Sequence, residues 1–201
     1  MIAKPTGSKI HGMRIMTVNG DEIRNTKDID FTNYGQPLRF KFIPENELWI
    51  DKENHPNEKR FLIIDAYVEY REMKKGKSYE QVLDTVKNID HSERRAAHQH
   101  LQFKKKFTGI KDGIKIFIVE GDYVRTKLDP FFTEGGHGYV YSYIPKDEVW
   151  LDDDLVPKER KYVLLHEMTE RHLMKSKKYS YLRAHKEASR IEKQERQKGG
   201  L

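Results

Sequence analysis

Short apolar stretches separated by polar turns lead, twice along the chain, into two longer stretches with helical spacing. "MRIMTV" from Met13 and "IKIFIV" from Ile114 are β-branched runs of strand length, each followed by a Gly-Asp pair that reads as a turn. "LRFKFI" from Leu38 and "YVYSYI" from Tyr139 alternate with period two and predict a further strand. A proline, a polar turn and a third short strand around Trp49 or Trp150 come next. Helical spacing then begins near Pro56 and Pro157, where a missing N–H is harmless in a first turn. Ser78 and Ser180 stand where an N-cap would open a second helix.

This succession is one unit written twice. Pro44/Pro145, Trp49/Trp150 and Asp51/Asp152 lie 101 positions apart, as do Gly12/Gly113, Arg24/Arg125, Phe31/Phe132 and Glu69/Glu170. After a one-residue insertion the register resumes at Ser78/Ser180, Tyr79/Tyr181, Ile89/Ile191 and Arg94/Arg196. The expected fold is therefore α+β, with two tandem pseudo-symmetric modules, each of short antiparallel strands followed by a helical hairpin. The first module is expected over residues 9–96, a basic linker over 97–109, and the second module over 110–198.

Composition narrows the chemistry. The 201 residues carry 36% hydrophobic positions, with nine Phe and eleven Tyr, enough to build a core and to argue against a disordered chain. The absence of cysteine removes disulfides, thiolate metal sites and a cysteine nucleophile, which leaves His, Asp and Glu as ligands. No stretch reaches membrane-spanning length and the N-terminus has no apolar core, so a cytoplasmic protein is expected, in a host cytoplasm if the gene is viral, with no membrane partner. A net charge of +6 permits contact with nucleic acid.

The duplication supplies an internal comparison. His137 faces Gln36, His166 faces Asp65, Glu167 faces Ala66 and His185 faces Leu83, so imidazoles and a carboxylate are concentrated in the second copy. His166 and Glu170 stand one helical turn apart on one face, among Val163, Leu173 and Met174. If the two helices form a hairpin, His185 meets them, and three ligands with an open position would suit catalytic Zn2+. Glu167 would then be the base acting on water, and His137, on a Gly-Gly loop, a third ligand or an oxyanion partner. The retention of Glu69 leaves a plainer alternative, in which Glu170 pairs with Arg125 as Glu69 pairs with Arg24.

The segment "HEMTE", residues 166–170, is similar to the H-E-x-x-H helix of zincin-type metallopeptidases, with Glu170 in place of the second histidine. The run "FTEGGH", "IPKDEVWLDD", "LLHEMTERHLM", "SYLRAHKEASRIE" resembles a group of uncharacterised phage and prokaryotic proteins, which implies a fold unit without an assigned reaction. The leading expectation is a metal-dependent hydrolase, with a peptide as the simplest substrate. The alternative is a non-enzymatic phage-associated scaffold or nucleic-acid-binding protein, contacting phosphates through Arg94, Arg95, Lys104, Lys105 and Lys106 beside Phe103 and Phe107.

Overall fold

The computed structural model describes residues 2–98 and 101–198. It divides into two compact units, residues 2–98 with Arg125–Phe131, and Leu101–Val124 with residues 132–198. The α+β class and the two similar modules agree with the expectation.

In the first module β1 (Ala3–Ile10) and β2 (Met13–Val18) form a hairpin, followed by the short helix α1 (Gly20–Thr26). Then come β3 (Tyr34–Gly35), β4 (Glu47–Asp51) and the helices α2 (Lys59–Lys74) and α3 (Tyr79–Ala97). The second module repeats this as β5 (Lys105–Lys111), β6 (Ile114–Val119), α4 (Gly121–Lys127), β7 (Gly135–His137), β8 (Glu148–Asp152), α5 (Pro157–Ser176) and α6 (Tyr181–Gln197). The sheet orders are β1-β2-β4-β3 and β5-β6-β8-β7.

Four expectations are corrected. The sheets are mixed, because β2 and β4, like β6 and β8, run parallel while the outer strands are antiparallel. The Gly-Asp pairs open helices α1 and α4. "LRFKFI" and "YVYSYI" are successive turns: Ile43 N–H bonds the Phe40 carbonyl at 3.0 Å and Ile144 N–H the Tyr141 carbonyl at 3.1 Å. That three-residue closure sends Phe40 with Ile43, and Tyr141 with Ile144, into the core, so the alternation has a turn's geometry. Part of the presumed linker is strand β5; Gln99 and His100 lie outside the described residues.

Each inner strand is buried on both faces. In β2, Met13 and Ile15 face α2, whereas Met16 and Val18 face the α1 side with Ile23, Phe31 and Trp49. In β6 and β8, Ile114, Ile116, Val149 and Leu151 meet Val163 of α5, whereas Val119 and Trp150 meet Phe132 and Ile144. Two-sided burial makes β4 and β8 continuous buried runs, as parallel pairing requires. The Trp side chains remain satisfied, because Trp49 Nε1–H donates to Glu47 at 2.7 Å and Trp150 Nε1–H to Glu148 at 2.6 Å.

The first module buries carboxylates on its helical hairpin. Asp65 on α2 is buried beside Asp90 of α3, and Asp65 Oδ1 has no hydrogen-bond partner. Burial first, and the Asp90 charge next, push the Asp65 carboxyl well above its ordinary range; Arg94 opposes this, and Glu69 and Glu58 add to it. An unfolded aspartate ionises near pH ~4, so between that pH and the folded value the native chain holds the extra proton and stability falls as pH rises. Asp65→Asn is therefore expected to melt above wild type at pH 7–8, with the difference vanishing toward pH 4. Melting curves with the same offset at both ends of that range would contradict this origin.

Candidate metal centre

The second module assembles its polar residues from three elements. β7 pairs with β8 and carries His137, α5 lies over both strands with His166, Glu167 and Glu170, and α6 packs along α5 with His185 and Glu192. Gly135 and Gly136 let β7 run directly beneath its cover, since a Cβ at Gly136 would fall 2.5 Å from the Tyr141 ring.

Glu170 sits at the centre, 3% exposed, with three imidazoles around its carboxylate. His137 Nε2 lies 3.0 Å from Oε1, His185 Nδ1 3.0 Å from Oε2, and His166 Nε2 3.6 Å from Oε2. His166 Nε2 and His185 Nδ1 are themselves 3.2 Å apart. The other nitrogen of His166, Nδ1, lies 3.0 Å from Glu192 Oε2, which as a carboxylate can only accept, so Nδ1 carries a proton. Glu192 is held in turn by Arg196 Nε–H at 2.9 Å, and Arg196 by Glu159 at 2.7 Å.

The electrostatics favour a protonated, positively charged His166 ring beside the Glu170 carboxylate. Burial alone would lower the His166 pKa, but the Glu170 and Glu192 carboxylates that face its two nitrogens overcome it and hold the ring up to about 10. Burial likewise works against the Glu170 carboxylate, yet its bonds to His137, His166 and His185 carry it well below the ordinary range. Glu167 is pushed up to about 8 by burial; the His166 charge opposes this, and Glu170, Glu192 and Glu134 reinforce it. Glu134 adopts a left-handed backbone, φ 61°, which is unfavourable for a side chain of this kind; Asn33 occupies the equivalent position in the first module without it.

Among the described residues, donor atoms of His166, Glu170 and His185 form one group able to hold a cation, and His137, Glu167 and Glu170 form another. The first group fits zinc in spacing. Bonds of 2.0–2.1 Å in a tetrahedron separate neighbouring ligand atoms by roughly 3.3 Å; here the three separations are 3.0, 3.2 and 3.6 Å. In the second group the His137 ring has both nitrogens engaged, Nε2 by Glu170 and Nδ1 by the Tyr139 backbone N–H at 3.2 Å. A third group, Asp152 to Asp154, is committed to the backbone, with Asp153 accepting from Gly121 N–H at 3.0 Å and Asp152 from Asp154 N–H at 3.0 Å. Access differs across the first group: the His185 side chain is 38% exposed, His166 12% and Glu170 4%, so the cluster opens on the His185 side.

The structure thus brings together His137, His166, Glu167, Glu170 and His185. The expected pairing of Glu69 with Arg24 does not form, because Arg24 bonds Asp51 at 3.2 Å while Glu69 accepts from Tyr34 O–H at 2.8 Å. Glu170 has taken the imidazoles as its partners. Glu192, Arg196 and Glu159 complete the site; their traces in the sequence are the helical spacing of Glu192 from His185 and the matched pair Arg94/Arg196.

The basic residues of the alternative reading are scattered in their roles. Arg94 is 1% exposed, held by Asp90 at 2.8 Å and Glu58 at 2.7 Å, and so is out of reach of a phosphate. Lys104 pairs with Glu120 and Lys105 with Glu148, the latter also lying over the Trp150 and Phe117 rings. Arg95 and Lys106 are exposed.

No family model, curated protein or solved structure matches this chain. The site is accordingly read from its own geometry: an α+β protein of two modules, one of which carries a buried carboxylate enclosed by imidazoles.

A Cβ on Gly135 would stand 3.0 Å from Val163 Cγ1, 3.1 Å from the Trp150 carbonyl oxygen and 3.3 Å from Glu167 Cγ. The backbone oxygen has no freedom to yield, so Gly135→Ala is expected to destabilise the chain by ~1–3 kcal/mol in chemical denaturation. Unchanged stability would show that β7 and α5 are less tightly apposed.

Proposed function

We propose that the second module binds one divalent transition-metal cation, zinc by its ligand set, through His166 Nε2, Glu170 Oε2 and His185 Nδ1, and uses it for hydrolysis. The observation that carries this reading is the convergence of those three atoms at 3.0–3.6 Å from one another. Two features support it. His166 presents Nε2 because Nδ1 is fixed by Glu192, the imidazole–carboxylate arrangement that orients metal-bound histidines. Two imidazoles and a carboxylate also leave a fourth tetrahedral position for water or substrate.

A cation there polarises a carbonyl and makes water more acidic. Glu167 follows His166 directly and lies with Glu170 in a cluster whose donor atoms are within 4.8 Å of one another; a cation there would lower its burial-raised pKa and leave it ionised to accept a proton. For a peptide bond, the simplest substrate, water oxygen bonds to the carbonyl carbon and a water proton passes to Glu167. The C–N bond then breaks and Glu167 returns the proton to the leaving amine. The half-exposed His185 side is where such a substrate would approach.

Elemental analysis of the tag-free chain is expected to show about one zinc per chain in wild type and in Glu167→Gln, and none in His166→Ala. Glu167→Gln should at the same time lose hydrolysis of a peptide library by a factor of 10² or more. Equal zinc uptake in His166→Ala, or an unaffected Glu167→Gln, would refute these assignments.

A further inference from the structure

We propose that His137 is a positioning residue: it fixes Glu170 by donating its Nε2–H to Oε1, and it neither binds the cation nor transfers a proton. This rests on the reading of His166, Glu170 and His185 as ligands.

Three observations converge. His137 is fully buried in β7, with no route to solvent or substrate. Its Nδ1 faces the Tyr139 backbone N–H at 3.2 Å, and because a backbone N–H can only donate, Nδ1 must accept. In a neutral imidazole the proton then sits on Nε2, aimed at Glu170 Oε1 at 3.0 Å. Coordination through Nε2 would force that proton onto Nδ1, opposite another donor, and would leave two N–H groups pointing at each other.

The first module provides the control. Gln36 is the residue 101 positions earlier and is equally buried. Its Oε1 accepts from the Leu38 backbone N–H at 2.7 Å, the counterpart of the Tyr139 bond. Its Nε2–H donates to Met73 Sδ at 3.1 Å, and its amide lies near enough to Glu69, the counterpart of Glu170, to favour the ionised carboxylate. Glutamine has no titratable proton and a carboxamide is a poor zinc ligand. What it shares with an Nε2–H imidazole is an acceptor toward the amide two residues on, with an N–H donor at the far end of the side chain, here turned to Met73. The two imidazole ligands are lost between modules, with Asp65 for His166 and Leu83 for His185, while the acceptor toward the amide is kept. In the second module the donor is turned to the glutamate: with Oε1 occupied by His137, Oε2 is the oxygen presented to His166 and His185.

Two measurements on the full chain test this. Long-range 1H–15N spectra of metal-free protein are expected to show His137 with its proton on Nε2, and to keep that pattern when zinc is added. Zinc affinity, by competition with a chromogenic chelator, should stay within about threefold of wild type in His137→Gln and fall by about 10–100-fold in His137→Ala. A proton on Nδ1, or His137→Gln losing zinc as completely as His166→Ala, would overturn the proposal, as would undiminished affinity in His137→Ala. If His137→Ala fails to fold, the glutamine variant and the tautomer decide the matter. Should wild type take up no zinc, the cation reading fails by itself, and the tautomer still judges the bond to Glu170.

Discussion

A carboxylate buried at the centre of a helical hairpin has to be met by donors or by positive charge, and Glu170 is where the second module answers that demand. Leaving an ionised carboxylate in such surroundings without partners would cost several kcal/mol. The surrounding architecture supplies the partners from three directions, with His137 from the strand below, His166 from the preceding turn of the same helix and His185 from the facing helix. Two of them have a second bond that keeps their place: His137 is tied to the Tyr139 amide and His166 to Glu192. The chain Glu159–Arg196–Glu192–His166 extends this order across the hairpin, so the imidazole is held by an ion network at its back.

The first module shows the same framework without the imidazoles. Glu58, Arg94 and Asp90 form the same network as Glu159, Arg196 and Glu192, with comparable distances of 2.7 and 2.9 Å. Glu69 is retained, yet the Tyr34 hydroxyl, bonded to its Oε1 at 2.8 Å, stands in place of three imidazoles, and its Oε2 has no hydrogen-bond partner among the described residues. The Tyr34 phenol belongs to the position where the second module has Gly135, and Ala66 to the position of Glu167. Those exchanges are coupled in space, since a Cβ at Gly135 would lie 3.3 Å from Glu167 Cγ. One module fills the room beside the glutamate with a strand residue; the other keeps the strand bare and fills it from the helix with a carboxylate.

Much of this was legible in the sequence because it is repeated and because helices announce themselves. Ser78 caps α3, with Gln81 completing a capping box, and α6 begins directly after Ser180. The i,i+4 spacing of His166 and Glu170, set against Asp65 and Glu69, marks the cluster in the sequence itself. Other features left weaker traces. Strands β1 and β5 are solvent-exposed edges with bulges near Gly7 and Gly109, so they carry no hydrophobic period. "YVYSYI" has the alternation of a strand, but the tight turns bring Tyr141 and Ile144 to the core together. Arg94 reads as one more cation in a basic stretch, and only the folded hairpin shows it sealed between Glu58 and Asp90. The Tyr139 amide, which selects the His137 tautomer, is backbone and therefore silent in any sequence.

The central claim is that Glu170 and two imidazoles share one cation, and X-ray absorption at the zinc edge on the zinc-loaded chain tests it most directly. The account predicts a shell of two imidazole nitrogens and one or two oxygens at about 2.0–2.2 Å, one of the imidazoles disappearing in His185→Ala. A shell containing three imidazoles, or oxygen atoms alone, would contradict it.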